Sequence, residues 1–158
     1  MIMNRPIWDE YFIEIAGVVA KRATCLRRHY GAVIVKNNKI ISTGYNGAPV
    51  GEDNCTTIGA CKRQELKIPS GERYELCRSV HAEANAILQA ESDKMDGATL
   101  YISGWDYERY VNGYVPSYAE AAPCMMCCRL LKNAKIKEVK WRKADGTIKT
   151  MIVSEMGC

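Results

Sequence analysis

Four residues of this chain have the types and spacing to do chemistry together: His81, Glu83, Cys124 and Cys127. One imidazole and two thiols at C-x-x-C spacing make three soft-to-borderline donors, a set that suits zinc with its fourth position open. The carboxylate two residues past the histidine has no evident structural reason to stand there. Beside such an ion it supplies the proton transfers that hydrolysis needs. H-x-E alone is uninformative, and C-x-x-C alone also fits a redox pair or half of a zinc ribbon. Found together in this order, each opening a helix-like segment, they favour a catalytic zinc over a structural zinc or a redox site.

The elements that position these residues follow from periodicity. Trp8, Tyr11, Phe12, Ile15, Val18 and Val19 recur at helical spacing and predict an amphipathic helix over about 6–27, with Pro6 in its first turn. Arg22, Arg27 and Arg28 fall toward its C-terminal end, where cations are favoured. Residues 31–35 read as an apolar strand, 36–38 as a hairpin turn and 39–45 as the returning strand. From Asn46 to Ser79 glycines and prolines break the pattern, apart from a short helix around Cys61–Leu66. A helix over about 81–91, with Ser79 as N-cap, precedes a strand at 98–102. Residues 104–122 form a second excursion that carries Trp105, Tyr107, Tyr110, Tyr114 and Tyr118. A helix over about 124–133, a strand at 136–141 and a strand at 147–153 complete the chain. This order predicts one α/β domain over 1–158, with a central mixed sheet and helices on both faces, and irregular insertions at about 46–79 and 103–122. Helix N-termini carry partial positive charge, which favours Cys124 and Cys127 as thiolates.

Composition narrows the class. With 158 residues, 47% of them hydrophobic and 25% charged, the chain fits one soluble globular unit with its own core. A net charge of +4, without a dense Lys/Arg stripe, argues against a nucleic-acid partner and fits an anionic small molecule. The N-terminus lacks a signal-peptide core, and no run reaches membrane-spanning length. The eight cysteines then point to metal ligands in a reducing, cytoplasmic setting, with disulfides the less favoured use.

H-x-E followed by P-C-x-x-C is the known signature of zinc deaminases. From about Trp8 to Trp141 the chain resembles the cytidine and deoxycytidylate deaminase superfamily. It is most similar to the deoxycytidylate (dCMP) branch, on Thr24-Cys25-Leu26-Arg27-Arg28, on Gly31-Ala32-Val33-Ile34-Val35, and on Gly44-Tyr45-Asn46-Gly47-Ala48-Pro49 with Asn54-Cys55. The resemblance implies a three-layer α/β/α sandwich with a mixed five-stranded sheet and a homo-oligomer, dimer to hexamer. It implies conversion of dCMP and water to dUMP and ammonia. It also implies dCTP and dTTP as effectors, with Mg2+ only where an allosteric nucleotide site exists. Two departures stand out. The family has few residues between the third strand and Pro123, where this chain has Ser103 to Ala122, and only Cys77 stands where a histidine-cysteine pair is common. The insertion reads either as a cover over the active site or as packing and surface.

On this resemblance Glu83 is the proton shuttle and His81, Cys124 and Cys127 hold zinc. Asn46 is the polar contact to sugar or base, and the Ala82 N–H donates to the pyrimidine carbonyl. Arg27 or Arg28 binds the 5′-phosphate, or else both are solvated arginines. Tyr45 and the insertion aromatics stack on a base or join the core. Cys128 and Cys158 read as bystanders. Cys25, Cys55, Cys61 and Cys77 read as a second, structural zinc site that orders the long irregular segment, or else as small buried apolar residues. Cys61 is the member that water or another side chain could replace. The alternatives in function are a free-nucleoside or polynucleotide-editing deaminase, and a non-catalytic zinc-binding regulator. A basic groove interleaved with aromatics would mark the polynucleotide enzyme, and an idle Glu83 would mark the regulator.

Overall fold

The computed structural model describes residues 4–113 and 117–158, so Tyr114 lies outside the described residues. Five strands, β1 (Arg28–Lys36), β2 (Lys39–Tyr45), β3 (Thr99–Asp106), β4 (Glu138–Arg142) and β5 (Ile148–Ile152), form one sheet in the order β2-β1-β3-β4-β5. β1 pairs antiparallel with both β2 and β3, β3 runs parallel to β4, and β5 is antiparallel to β4. This is the mixed five-stranded sheet that the sequence predicts. The tight β1–β2 hairpin turns at Asn37 and Asn38, both at positive φ (51° and 56°), a conformation that asparagine tolerates better than most residues.

Among the described residues seven α-helices accompany the sheet: α1 (Trp8–Ala20), α2 (Cys55–Ile58), α3 (Lys62–Glu65), α4 (Ala82–Gln89), α5 (Ser92–Met95), α6 (Tyr107–Val111) and α7 (Met125–Asn133). Side chains alternate across strands, so the sheet has two apolar faces. Ala32, Ile34, Leu100, Ile102 and Val139 pack with Ala82 and Ala86 of α4 and Leu131 of α7. Val33, Val35 and Tyr101 pack on the other face with Phe12, Ile13 and Ala16 of α1.

α1 departs from the expectation in two ways. It ends at Ala20 and not near residue 27, because the chain there is drawn back toward the sheet. The Thr24 amide donates to the Asn46 carbonyl, and β1 already starts at Arg28, paired opposite Asp106. Arg27 and Arg28 are therefore not helix-end cations, and Cys25 lies beyond the helix. The buried stripe is also rotated: Phe12, Ile13, Ala16, Gly17 and Ala20 face inward, while Trp8, Tyr11 and Val18 are exposed. Small residues face the sheet because Gly31 of β1 lets the α1 backbone come close. A Cβ on Gly31 would collide with Ala16 O and Ala20 N.

The aromatic excursion is mostly packing. β3 runs on to Asp106, so its first residues are sheet and not loop. Trp105 Nε1 donates to Gly17 O at 3.0 Å, and its ring lies 5.1 Å from that of Tyr118, which the Arg142 guanidinium covers at 4.9 Å. Tyr107 stacks on His29 at 4.4 Å, whereas Tyr110 is exposed. Cys128 and Cys158 are not bystanders. They form a disulfide, with Cα atoms 6.1 Å apart, that ties the C-terminal residues to α7, and Lys132 Nζ donates to Met156 O alongside it. Among the described residues no helix is long and apolar enough to cross a membrane.

Candidate active site

The site is built where the N-termini of α4 and α7 meet. His81 is the N-cap of α4 and Cys124 the N-cap of α7, with Cys127 inside the first turn of α7. His81 precedes the helix in place of Ser79, because the residue before it is held as strand. Val80 pairs with Gly47, each amide donating to the other's carbonyl. α4 itself is fastened to β2. Asn85 Nδ2 donates to Tyr45 O at 2.8 Å, Ser42 Oγ donates to Ala86 O at 2.7 Å, and Gly44 lets the helix backbone approach so closely that a Cβ there would collide with Ala82 O and Ala86 N. The Gly44-Tyr45-Asn46-Gly47 block is thus first of all the cradle of the His81–Glu83 turn.

His81 Nδ1 lies 3.5 Å from Cys124 Sγ and 3.4 Å from Cys127 Sγ, and the three donor atoms sit within 4.8 Å of one another. Tetrahedral zinc with Zn–S near 2.3 Å and Zn–N near 2.0–2.1 Å places its nitrogen and sulfur ligands about 3.5 Å apart. The donor set therefore fits zinc in both chemistry and spacing, and among the described residues it is the only such group. A hydrogen bond from Cys127 pulls Cys124 well below the ordinary thiol range, with His81 acting in the same direction, while Cys127 as donor is pushed up. Hydrogen bonding to Cys124 raises His81, against the opposing effect of burial. Glu83 is 7% exposed, and burial raises its pKa despite the nearby His81. A carboxyl raised above its ordinary range holds a proton more readily than a free one, which suits it to proton transfer.

A cavity of about 170 Å³ opens above these residues, lined by His81, Ala82, Glu83 and Cys124 on one side and by Arg27, Arg28, Asn46 and Arg63 among others. Ala82 is the first residue of α4, where a backbone N–H has no helical acceptor, as a carbonyl donor requires. Asn46 is 6% exposed, and both ends of its amide already hold β1: Oδ1 accepts from Tyr30 N at 2.7 Å and Nδ2 donates to Arg28 O at 2.9 Å. One N–H and one lone pair are left for a ligand. Arg28 is engaged by Asp106 at 3.3 Å, and Arg27 is in no ion pair among the described residues.

Cys25, Cys61 and Cys77 line the same cavity, and Cys55 is buried near them. Burial raises the pKa of Cys55 first, and the Cys25, Cys61 and Cys77 thiols add to the shift. Hydrogen bonds from Thr24 N to Asn46 O and from Thr56 N to Thr24 O bring the Cys25 and Cys55 segments together. The four thiols are neighbours but do not close into a metal-holding group of the kind that His81, Cys124 and Cys127 form.

Sequence reasoning missed Arg63 and Tyr74. Arg63 is 8% exposed, with Nη2 donating to Pro69 O at 2.9 Å and Glu72 O at 2.7 Å and its guanidinium 4.7 Å from the Tyr74 ring centre. Tyr74 in turn meets His81 edge-on at 5.0 Å. An arginine in a short polar helix reads as solvated, and no periodic signal marks it as buried.

Residues 6–143 match the model of the cytidine and deoxycytidylate deaminase zinc-binding region. The chain is 37% identical to the deoxycytidylate deaminase of Mycobacterium phage D29 over 145 residues, covering 89% of this chain and 98% of that one. It is 35% identical to the deoxycytidylate deaminase of Schizosaccharomyces pombe over 135 residues, covering 85% of this chain but only 37% of that protein. In fold it resembles the crystal structure of dCMP deaminase from the cyanophage S-TIM5, with a TM-score of 0.57 and 24% identity over 88% of this chain and 85% of the other.

Proposed function

This chain belongs to the cytidine and deoxycytidylate deaminase zinc-binding family, and from that premise we propose that it hydrolyses dCMP to dUMP and ammonia. The observation that carries the reading is a buried Glu83 beside the His81, Cys124 and Cys127 donor set, at the floor of a cavity that also holds arginines. When bound there, zinc supplies Lewis-acid activation of water at neutral pH. The chain's own residues do the rest. Ala82 N–H holds the pyrimidine carbonyl, which fixes C4 against Glu83. Glu83 takes a proton from the attacking water and delivers it to N3 as the C4–O bond forms. It then takes the remaining proton from the oxygen now on C4 and passes it to the 4-amino group, the C4–N bond breaks as C4=O forms, and ammonia leaves.

The test is ammonia release from dCMP, deoxycytidine, cytidine, cytosine, adenosine and single-stranded oligonucleotides. Preference for dCMP supports the reading. Equal use of deoxycytidine makes the enzyme a nucleoside deaminase, reaction of the oligonucleotide alone makes it an editing enzyme, and no reaction with any of them leaves a zinc-binding regulator. The same assay with dCTP and Mg2+, or with dTTP, tests the effectors that the resemblance implies.

A homo-oligomer, dimer to hexamer, belongs to the same proposal. Its support is the set of exposed apolar side chains Met125, Met126 and Leu130 on α7 with Leu88 on α4, and light scattering reads the mass. A second zinc held by Cys25, Cys55 and Cys77, with Cys61 or another ligand, rests on the adjacency of these thiols. It predicts two zinc per chain, falling to one in Cys55→Ser. One zinc per chain, unchanged in that variant, ends the idea.

A further inference from the structure

We propose that Arg63 is the receptor for the substrate's anionic group, the 5′-phosphate, and so sets the preference for nucleotide over nucleoside. The proposal rests on the dCMP reading above and deepens it.

A guanidinium that is 8% exposed has given up most of its water, and buried charges are normally paired. Arg63 has no carboxylate within ion-pair distance among the described residues. Two backbone carbonyls, of Pro69 and Glu72, take both hydrogens of Nη2, and Nε is buried with no partner. Carbonyl dipoles and the face of Tyr74 orient the group without cancelling its charge. Packing alone does not call for a formal charge here, because a methionine fills similar space without desolvating one. Arg28, another arginine at the cavity wall, is already answered by Asp106.

Position agrees with chemistry. Arg63 lines the cavity that holds His81 and Glu83. Tyr74 bridges the two ends, lying 4.7 Å from the guanidinium and 5.0 Å from the imidazole, so the charge sits within about 10 Å of the metal ligands. That reach suits a pyrimidine whose C4 faces Glu83 and whose phosphate, one sugar away, meets the guanidinium. Arg27, with no ion pair among the described residues, and Ser70 line the cavity as further donors to such an anion. The two Nη1 hydrogens are in no described hydrogen bond and remain for such an anion, held in a fixed plane by the two carbonyls on Nη2 as a lysine ammonium would not be.

Two readouts on the purified holoenzyme test this. The first is the thermal shift given by inorganic phosphate, which needs no assumption about the base. Wild type is expected to be stabilised by phosphate, and Arg63→Met to lose that response. The second is the ratio of kcat/KM for dCMP to that for deoxycytidine. It should fall on the order of tenfold or more in Arg63→Met, through KM for dCMP, since a charge-assisted hydrogen bond is worth about 1.5–3 kcal/mol. Arg63→Lys keeps a charge but not the fork, and it should lie between; it serves also if the methionine variant does not fold. A phosphate response that is absent in wild type, or that survives in both variants, overturns the proposal. So does a substrate ratio unchanged from wild type, and so does a fall in zinc content with KM intact, which would make the charge a partner of thiolates. A wild type inactive on dCMP yet stabilised by phosphate through Arg63 overturns the dCMP reading and leaves the anion site standing.

Discussion

Gly44→Ala is the most direct test of how α4 is placed. A Cβ at this position would meet Ala82 O, Ala86 N and, at 2.9 Å, Ala86 Cα, all of them backbone atoms that no rotamer change can move aside. Ordinary carbon contacts lie near 3.5–4.0 Å, so α4 must withdraw from β2 by on the order of 1 Å. Overpacking of this kind costs about 1–3 kcal/mol. For a chain of this length each kcal/mol is about 2–4 °C, so the midpoint should drop by roughly 2–12 °C. Activity should suffer more than stability does. α4 carries Glu83 and follows His81, whereas Cys124 and Cys127 ride on α7, so withdrawal changes the 3.4 Å and 3.5 Å nitrogen–sulfur spacings. A misplacement of about 1 Å at reacting groups costs about 10²-fold. Gly31→Ala is the control, since its Cβ would strike α1 on the opposite face, through Ala16 O and Ala20 N. It should lower the midpoint comparably while losing far less turnover per bound zinc. Circular dichroism melts and ammonia release, normalised to metal content, measure both. A Gly44→Ala protein that is folded and turns over at the wild-type rate refutes the reasoning.

Other outcomes follow from the same geometry. Glu83→Gln should keep zinc and fold yet lose about 10²–10⁴-fold in rate, because the amide cannot carry a proton; turnover and metal content are read on one sample. His29 is 9% exposed, and burial lowers its pKa; with Nε2 donating to Cys25 O at 2.6 Å, its charged form needs a second proton on the ring that stacks on Tyr107. The stability this contributes is present above the ordinary histidine pKa near 6.5 and is lost as pH falls through the lowered folded value. The melting temperature of wild type should therefore drop more between pH 7.5 and 5.5 than that of His29→Asn; equal drops would dismiss His29 as the cause. The Cys128–Cys158 bridge spans 30 residues, a loop for which chain entropy gives roughly 3–4 kcal/mol. A reductant should lower the wild-type midpoint and leave Cys158→Ser unchanged, and a midpoint insensitive to reductant would rule this out.

The sequence was informative where chemistry or periodicity leaves a local mark. His81, Glu83, Cys124 and Cys127 are legible because ligand type and spacing constrain one another, and the strands are legible because their apolar runs are bounded by turns. α1 was legible as a helix but not in its inward face. Bulky side chains dominate the periodic signal, whereas the close contact with Gly31 is made by Ala16 and Ala20. Asn46 lines the cavity and has a duty that only the fold shows, since its amide stands in for backbone beside β1. Arg63 was illegible because burial of a charge depends on where the loop around Pro69 and Glu72 lands, and that is a tertiary fact. The aromatic excursion reads as a candidate cover because its ring density is high; the partners that absorb Trp105, Tyr107 and Tyr118, namely Gly17, His29 and Arg142, lie elsewhere in the chain.

That the metal donors are split between two helices has a consequence for how the protein is made. His81 stands 43 residues ahead of Cys124 and 46 ahead of Cys127. At about 5–20 residues per second, a ribosome needs roughly 2–9 s to travel from the histidine to the last thiol. At its start α1, β1 and β2 already exist as polypeptide, α4 and β3 are made within it, and β4 and β5 are still to come. A nascent chain stalled before Cys124 has one of the three donors and cannot hold the ion there, however well its first half has folded. Metal capture is therefore a late event in biogenesis, and ribosome-bound chains released at successive lengths should acquire tightly held zinc only once Cys127 has cleared the exit tunnel.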